Sequence, residues 1–376
     1  MRIKKILAAL LAALMLTTMI AGCGQQESPA AQSPAVQSPA AQPSADAPAS
    51  PQPETSQPSA QTETAPPTER IVVDQLGREV VLPMEVESVV AVHGTMINFI
   101  IAMGGGHLLV GRGGGTGSPD TINGLMVPNL GDLPQLGNND QINVEELAQI
   151  GPQLFVFSAR HAEVVLPVLD MLGIASVSIR PDDFESILTS ISVLGDTFGQ
   201  EERARNIIDF TLNQLSLVEE RLANAPRKPT ALVFGNTTTT IGTNGMLQSD
   251  IIFRAGGLNT AIDIDGTTHA EVTMEQILEW DPEYIFISAW GNLQPEDIIS
   301  EPRYAVLQAV QNGNVRKFPS PADWWDTSST ASALAVIWAA HIMHPQLITA
   351  EELDAAVTDF YYMLHGVELG KDFFGY

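Results

Sequence analysis

Short β-branched runs alternate with segments of helical periodicity from residue 70 to the end of this 376-residue chain. Residues 88–92, 153–157 and 175–179 have the apolar composition of buried strands, and residues 95–103 and 161–172 have the periodicity of helices. A repeated strand–helix–strand order makes neighbouring strands parallel and covers both faces of the sheet with helices. The alternation therefore predicts an α/β fold with mainly parallel sheets.

The middle of the chain interrupts this alternation with a much longer helical pattern. Residues 201–223 predict one helix of about 35 Å, which Pro226 and Pro229 bring to an end. A second alternation follows, with predicted strands at 231–234, 284–288 and 315–318 and predicted helices at 248–255, 274–280, 302–311, 327–343 and 350–364. The order predicts two α/β lobes, 70–199 and 226–376, joined by one long backbone helix within 200–225.

Composition excludes several classes of protein. The single cysteine excludes a disulfide framework, a cysteine-based zinc site and an iron–sulfur cluster within the chain. The net charge of -26 opposes binding of nucleic acid or anionic lipid through the body of the protein. We therefore expect the fold to depend on core packing, and we expect no nucleic-acid partner.

The N-terminus predicts export and lipidation. A basic start is followed by about 15 apolar residues, which is the length of a signal-peptide core rather than of a membrane span. Ile20-Ala21-Gly22-Cys23 resembles a bacterial lipobox, so residues 1–22 are predicted to be a signal peptide and Cys23 the lipidated residue. The alternative is an ordinary signal peptide followed by an incidental thiol. Residues 23–69, which are rich in Pro, Ala, Ser and Gln, predict a disordered tether on the extracytoplasmic face of the cell membrane.

The sequence lacks the common signatures of catalysis. The glycine-rich loop at 111–117 has Ser118 where a phosphate loop needs lysine, and no helix pattern follows it as a dinucleotide fold requires. No Gly-x-Ser-x-Gly elbow and no His-Glu-x-x-His motif is present. We therefore expect a protein that is not an enzyme and that requires no covalently bound cofactor.

Polar and aromatic residues that follow predicted strands are the candidate ligand-binding residues, because strand ends line the ligand crevice of open α/β sheets. Arginine offers planar donors to carboxylates or oxyanions, and tryptophan offers an apolar face to a large solute. Arginines also pair with acids in any acidic protein, and tryptophans also pack under loops. The candidates are His93, Arg112, Arg160, Trp290 and Trp324.

Several motifs occur in family order over residues 70–376, and the first of them is similar to the opening hairpin of a known family. The motifs are Val73-Asp74-Gln75-Leu76-Gly77-Arg78-Glu79-Val80 with Val81-Leu82-Pro83, Asn143-Val144-Glu145, Gly151-Pro152-Gln153-Leu154, Gly256-Gly257-Leu258-Asn259, Val272-Thr273-Met274-Glu275-Gln276-Ile277-Leu278, Asp281-Pro282-Glu283, Ala309-Val310-Gln311-Asn312-Gly313-Asn314-Val315, His344-Pro345 and Phe360-Tyr361. The set resembles the ABC-transporter solute-binding proteins for iron–siderophores, haem and cobalamin.

This resemblance implies two Rossmann-like lobes bridged by a long helix and a solute held in the cleft between them. It implies a ferric siderophore complex, haem or a cobalamin-like corrinoid as the ligand, and a permease dimer with a cytoplasmic ATPase as the partner. One glutamate on each lobe meets the permease in this family, and the matching motifs assign that role to Glu145 and Glu275. The alternative for both glutamates is a structural role, in which a negative charge in the first turn stabilises the helix through its dipole.

Other functions stay open at this point. A receptor for a bare divalent metal ion would use His93, His161 and His269. An oxyanion receptor and a ligand-sensing lipoprotein would use the same cleft. The export signal is also compatible with a surface enzyme or an adhesin, but the missing catalytic signatures argue against an enzyme, and a single α/β unit without repeats argues against an adhesin.

Overall fold

The computed structural model describes residues 68–319 and 323–376, which belong to one compact unit of the chain. The first element is an antiparallel hairpin of β1 (Glu69–Val73) and β2 (Glu79–Pro83). Cys23 and the rest of the predicted signal peptide and tether up to residue 67 lie outside the described residues, so their roles stay predictions.

A buried carboxylate fixes the hairpin to the first lobe. Asp74 accepts hydrogen bonds from Arg78 Nε at 3.0 Å and from Ser178 Oγ at 2.8 Å. Burial alone raises the pKa of Asp74, but the bonds from Arg78 and Ser178 outweigh burial and lower it. The ionised carboxylate therefore links the hairpin turn to a strand of the neighbouring sheet.

The sheet of the first lobe has four parallel strands, which are β3 (Val89–Ala91), β4 (Leu109–Arg112), β5 (Leu154–Ser158) and β6 (Ala175–Ile179). Their order across the sheet is β4-β3-β5-β6. Leu154, Phe155, Val156 and Phe157 of β5 are all fully buried, as expected for a strand that is covered on both faces.

One helix, Glu201–Leu222, connects the two lobes, and we call it the linking helix. Its 22 residues extend about 33 Å. Ala204, Ile207, Thr211 and Val218 are its buried residues, and their spacing of three, four and seven places them on one face. That face packs between the helices Phe184–Phe198 and Ser332–Met343.

The sheet of the second lobe is mixed. Its strands are β7 (Thr230–Phe234), β8 (Thr240–Ile241), β9 (Leu258–Asn259), β10 (Ala270–Glu271), β11 (Tyr284–Ile287) and β12 (Val315–Lys317). They follow the order β10-β8-β7-β11-β12, and β9 also pairs with β7. β7, β9, β11 and β12 are parallel, whereas β8 and β10 are antiparallel additions at one edge.

Helices cover both sheets. Among the residues described, no helix has both the length and the apolar character needed to cross a membrane. The α-helices are Gly94–Ala102, Ile122–Met126, Val144–Ile150, Ala162–Leu172, Phe184–Phe198, Glu201–Leu222, Leu247–Arg254, Met274–Trp280, Pro295–Ile299, Gln308–Gln311, Ser332–Met343, Ala350–His365 and Lys371–Phe374, and the 3-10 helices are Gly105–Leu108, Leu130–Asp132, Ala159–His161 and Pro302–Tyr304.

An apolar core runs from the first lobe through the linking helix into the second. The helix Ser332–Met343 belongs to this core, and ten of its residues are buried around its whole circumference. A helix that is apolar on all sides needs neighbours on all sides. This helix therefore supports the second lobe from the inside, next to the linking helix.

Two of the predicted helices are shorter than the sequence pattern indicates. The predicted helix at 302–311 is wrong as a single element, because the structure has a 3-10 turn at Pro302–Tyr304 and a separate short helix at Gln308–Gln311. The predicted helix at 327–343 begins only at Ser332, since the Ser332 hydroxyl bonds to the carbonyl oxygens of Thr327 and Ser329 and folds the preceding residues into a turn.

Candidate functional site

A cavity of about 220 Å³, which we call the cleft cavity, lies where loops from both lobes meet. Its lining follows the carboxyl ends of parallel strands, where open α/β sheets bind their ligands. Arg160 and Asp182 come from the first lobe. The rest of the lining comes from the second lobe and consists of Gly245, Met246, Leu247, Gln248, Thr267, His269, Trp290, Asp326, Thr327 and Ser328.

Two arginines share one carboxylate at the wall of the cleft cavity. Arg160 Nε donates to Asp182 Oδ1 at 2.8 Å, and Arg180 Nε donates to Asp182 Oδ2 at 2.7 Å. The hydrogen bond and the negative charge of Asp182 raise the pKa of Arg180. The cluster carries one surplus positive charge, and the terminal nitrogens of Arg160 bond to none of the residues described.

Trp290 and His269 form the aromatic part of the cavity. Trp290 follows β11, is 40% exposed, and lies edge-on to the His269 ring at a centroid distance of 5.7 Å. A Cβ atom at Gly235 would lie 2.6 Å from His269 Cδ2, so only glycine leaves room for this ring. Burial lowers the pKa of His269, which is therefore neutral at pH 7. Its Nε2 is buried and has no hydrogen-bond partner among the described residues.

Asp326 is the fully buried carboxyl group of the cavity. The Ala289 amide lies 3.3 Å from both of its oxygens, and Gln248 Nε2 lies 3.4 Å from Oδ2. These distances are long for hydrogen bonds to a carboxylate. Burial raises the pKa of Asp326 to about 6, although the bonds from Gln248 and Ala289 oppose this shift. A carboxyl group with unused hydrogen-bonding capacity therefore lines the cavity.

The N-terminus of the helix Leu247–Arg254 also reaches the cavity, because residues 245–248 are part of its lining. No side chain caps this helix end. The first amides of a helix have no partner within the helix, and the helix dipole concentrates positive potential there. The cavity is thus open to an acceptor group at this point.

His93 and His161 lie together on the first lobe but are not part of the cleft-cavity lining. His93 caps the helix Gly94–Ala102 by accepting a hydrogen bond from the Thr95 amide. One side of His93 is exposed, but desolvation by the surrounding protein and the charge of His161 lower its pKa. Within 68–319 and 323–376, no three histidine, cysteine or acidic residues are grouped closely enough to hold a metal ion. His93, His161 and His269 therefore do not form a preassembled metal centre.

Arg112 and Trp324 are not part of the cleft-cavity lining. Arg112 is buried and donates to the carbonyl oxygens of Gly113 and Gly131 at 3.0 and 2.7 Å, so it supports the glycine-rich loop. Trp324 is 45% exposed, whereas the adjacent Trp325 is completely buried. Of the five predicted ligand-binding residues, the structure brings Arg160 and Trp290 to one cavity.

A larger cavity of about 630 Å³ adjoins the first along the helix Leu247–Arg254. The two cavities share Asp182 and residues 245–247. The adjoining cavity has an apolar wall that includes Phe253 and Ile262, which are 62% and 59% exposed. A ligand with a polar end and an apolar body has room in the two cavities together.

Glu145 and Glu275 occupy equivalent positions in the two lobes. Each is exposed in the first turn of a seven-residue helix, Val144–Ile150 or Met274–Trp280. Asn143 and Thr273 cap these helices by accepting a hydrogen bond from the third amide, and each helix ends at a left-handed residue that precedes a proline and a strand. The same local structure therefore presents one glutamate on each lobe.

Sequence reasoning missed Asp182, Gln248 and Asp326. Asp182 follows β6 and Asp326 follows β12, so the strand-end rule that selected Arg160 and Trp290 also applies to these two carboxylates. Gln248 lies in the first turn of a helix and carries no signal that separates it from an ordinary surface residue.

The comparisons with known proteins identify the class. The family model described as periplasmic binding protein matches residues 89–322, which is more than half of the chain. The chain therefore belongs to the periplasmic binding protein family. It is an extracytoplasmic solute-binding protein of the ABC-transporter type, and its family consists of binding proteins rather than enzymes.

Particular relatives differ in what they bind. The molybdate-binding protein MolA of Haemophilus influenzae is 22% identical over 319 residues, which cover 78% of this chain and 90% of the relative. The Fe(3+)-citrate-binding protein YfmC of Bacillus subtilis is 21% identical over 197 residues, or 52% of this chain and 61% of the relative. A periplasmic solute-binding protein from Veillonella parvula has a TM-score of 0.74 at 25% identity and covers 81% of this chain and 95% of its own.

Proposed function

We propose that the protein captures an anionic solute in the cleft cavity and delivers it to a membrane permease. The observation that carries this proposal is the cluster of Arg160, Asp182 and Arg180, in which two guanidinium groups share one carboxylate. Guanidinium groups bind the oxygens of carboxylates and oxyanions through paired hydrogen bonds. Arg160 retains its terminal nitrogens for such a bond.

The uncapped N-terminus of the helix Leu247–Arg254 supports the same class of ligand. Residues 245–248 line the cavity beside Arg160, and no side chain satisfies that helix end. Helix N-termini bind anions through their free amides and through the helix dipole. Two independent features of the cavity thus favour negative charge.

The volume of the cleft cavity favours a compact oxyanion as the solute. The cleft cavity of about 220 Å³ is smaller than the roughly 300–1,000 Å³ of sites for drug-sized ligands. The hydroxyl groups of Thr267 and Ser328 offer further donors along its lining, whereas the Thr327 hydroxyl donates to the Trp324 carbonyl oxygen at 2.9 Å. MolA, which aligns over 90% of its own length, is named as a molybdate-binding protein.

The second candidate is an iron complex, either a ferric siderophore or haem, or else a cobalamin-like corrinoid. The adjoining cavity of about 630 Å³ and the exposed face of Trp290 favour it. Ferric citrate and haem both carry carboxylates that suit Arg160. The relative YfmC is named for binding Fe(3+)-citrate.

Calorimetry with a panel of solutes distinguishes these candidates. The panel contains molybdate, sulfate, ferric citrate, a ferric hydroxamate, haem and cobalamin, and metal analysis of protein purified without refolding accompanies it. The variant Arg160→Gln should weaken binding of the preferred anion about 10- to 100-fold, because a hydrogen bond to a charged group contributes roughly 1.5–3 kcal/mol.

Arg303→Gln is the matched control. Arg303 pairs with Glu301 at 2.8 Å and is not part of the cavity lining. This variant should bind the solute like the wild type. Equal affinity of the wild type and Arg160→Gln for every solute would contradict the proposal, and binding of a bare divalent cation alone would replace it.

We propose the anchor and the docking contacts as part of the same function. Lipidation of Cys23 and a tether over 23–69 would hold the protein near its permease, with lobes at 70–199 and 226–376. Glu145 and Glu275 would each contact one subunit of a permease dimer that is driven by a cytoplasmic ATPase. The equivalent capped helices that carry these glutamates support the docking role. We expect no catalytic turnover of the solute.

A further inference from the structure

Asp326 poses an electrostatic problem for an anion receptor. Asp326 is completely buried at the wall of the cleft cavity, and the hydrogen bonds that its carboxyl group receives from Ala289 and Gln248 are long. The Ser288 hydroxyl is also buried next to Asp326 and forms no hydrogen bond of normal geometry with the described residues. A negative solute in the same small cavity would meet an ionised carboxylate with little screening by water.

The other charged and titratable groups around Asp326 do not remove this repulsion. Lys317 on β12 acts on Asp326 through its charge, but its ammonium group is committed to the carbonyl oxygens of Gly291 and Leu293 at 2.6 and 3.1 Å. Arg160 is partly neutralised by Asp182, and His269 is neutral at pH 7. The groups that face the cavity or neighbour Asp326 are Arg160, Asp182, His269, Lys317 and Asp323.

We propose that Asp326 is protonated in the complex and donates a hydrogen bond to an anionic oxygen of the solute, so that capture at neutral pH takes up one proton. The carboxylate takes this proton from the solvent, and the new O–H group then bonds to the solute. No other bond forms or breaks. This inference rests on the proposed capture of an anionic solute.

The charge balance of the site favours this arrangement. With Asp326 ionised, the charges of Arg160, Arg180, Asp182 and Asp326 sum to zero, and Lys317 adds one positive charge that is held by backbone carbonyl oxygens. Protonation of Asp326 raises this total by one positive charge, which favours the anion. A protonated carboxyl group also supplies a donor where the ionised group is only an acceptor. Because burial brings the pKa of Asp326 to about 6 in the free protein, protonation is accessible near neutral pH.

The expected affinity follows from the protonated fraction. With a pKa of about 6, only about 3% of Asp326 is protonated at pH 7.5. The apparent dissociation constant is then about 30-fold weaker than that of the protonated form. Above about pH 6.5, the affinity should fall about tenfold for each pH unit.

Calorimetry with sodium molybdate tests the inference. Titrations at pH 7.5 in Hepes and in Tris, which have different ionisation enthalpies, give the number of protons exchanged. The wild type should take up about one proton per bound molybdate. Asp326→Asn, whose amide is a permanent donor, should exchange none and should bind molybdate on the order of tenfold to 30-fold more tightly than the wild type at pH 7.5.

Two variants serve as controls. Asp323→Asn removes another buried carboxylate, which is bonded to Tyr361 and is not part of the cavity lining, so it should keep the proton uptake. His269→Gln should also keep it, because the proton belongs to Asp326. A circular dichroism spectrum checks folding, and wild-type titrations from pH 5.5 to 8.5 test the inference even if a variant does not fold.

The outcomes separate this inference from the proposed function. Molybdate binding without proton uptake, or proton uptake that persists in Asp326→Asn, overturns the role of Asp326 and leaves anion capture intact. Binding of no anion by the wild type overturns both. Loss of the uptake only in His269→Gln assigns the proton to the histidine and overturns the inference.

Discussion

Replacement of Asp326 by asparagine should stabilise the unliganded protein at neutral pH. Burial raises the pKa of this carboxyl group from its ordinary value of 3.8 to about 6. A raised pKa in an acid means that the folded state binds more protons than the unfolded state between these two values, so stability falls as the pH rises from about 4 to about 6 and is constant above that. The ionised carboxylate therefore costs roughly 3 kcal/mol at pH 7.5 and about 1.5 kcal/mol at pH 5.

Urea unfolding at the two pH values measures this difference. Asp326→Asn should gain roughly 3 kcal/mol over the wild type at pH 7.5 and about half of that at pH 5. Asp140→Asn, at an exposed loop position, is the matched control and should change the free energy of unfolding by less than about 0.5 kcal/mol at either pH. A gain that is the same at both pH values, or a loss at pH 7.5, would refute the reasoning.

Three further predictions concern other parts of the chain. Cys23→Ala should move the protein from the membrane fraction to the soluble fraction, and retention on membranes after a high-salt wash would contradict lipidation. Glu145→Arg with Glu275→Arg should abolish uptake in proteoliposomes by like-charge repulsion while solute affinity changes less than about twofold, since rim charges control docking. Gly113→Ala should lower stability by at least about 3 kcal/mol in thermal unfolding, because its Cβ would lie 2.0 Å from a backbone carbonyl oxygen. Gly114→Ala, whose Cβ meets nothing closer than 3.9 Å, should be nearly neutral.

The parallel core of both lobes was predictable because its strands are continuous apolar runs. β5 and β11 combine β-branched and aromatic residues over four or five positions, and no helical periodicity competes with that pattern. The linking helix was predictable for a related reason, since its buried positions repeat at helical spacing over 22 residues. Long, regular segments determine their own structure from local pattern.

The short elements of the second lobe were not predictable in the same way. β8 and β10 have two residues each and exist because they pair with each other at the edge of the sheet. The residues 302–311 have helical composition, but Tyr304 is buried and Gln308 is bonded to Asp281, so tertiary contacts divide the segment. Sequence periodicity contains no information on such distant partners.

The candidate site was also predictable only in part. The rule that strand ends line the ligand crevice led to Arg160 and Trp290, which line the cleft cavity. The rule also led to Arg112, which follows the same logic but folds back under the glycine-rich loop. A strand end determines where a side chain begins, whereas the packing of the next loop determines which way it points.

The segment from Asp323 to Asp326 shows how core packing can hold a carboxyl group at the cleft even though its burial is energetically unfavourable. Trp325 is fully buried against Phe374 and donates to the Tyr361 hydroxyl at 2.9 Å, and this hydroxyl donates to Asp323 at 2.7 Å. Withdrawal of Asp326 into solvent would pull Trp325 out of the core, and removal of a large aromatic side chain from a core costs about 3–5 kcal/mol. That cost is comparable to or larger than the roughly 3 kcal/mol of holding the Asp326 carboxylate out of water. The aromatic anchor therefore keeps Asp326 at the cavity, where protonation relieves the penalty.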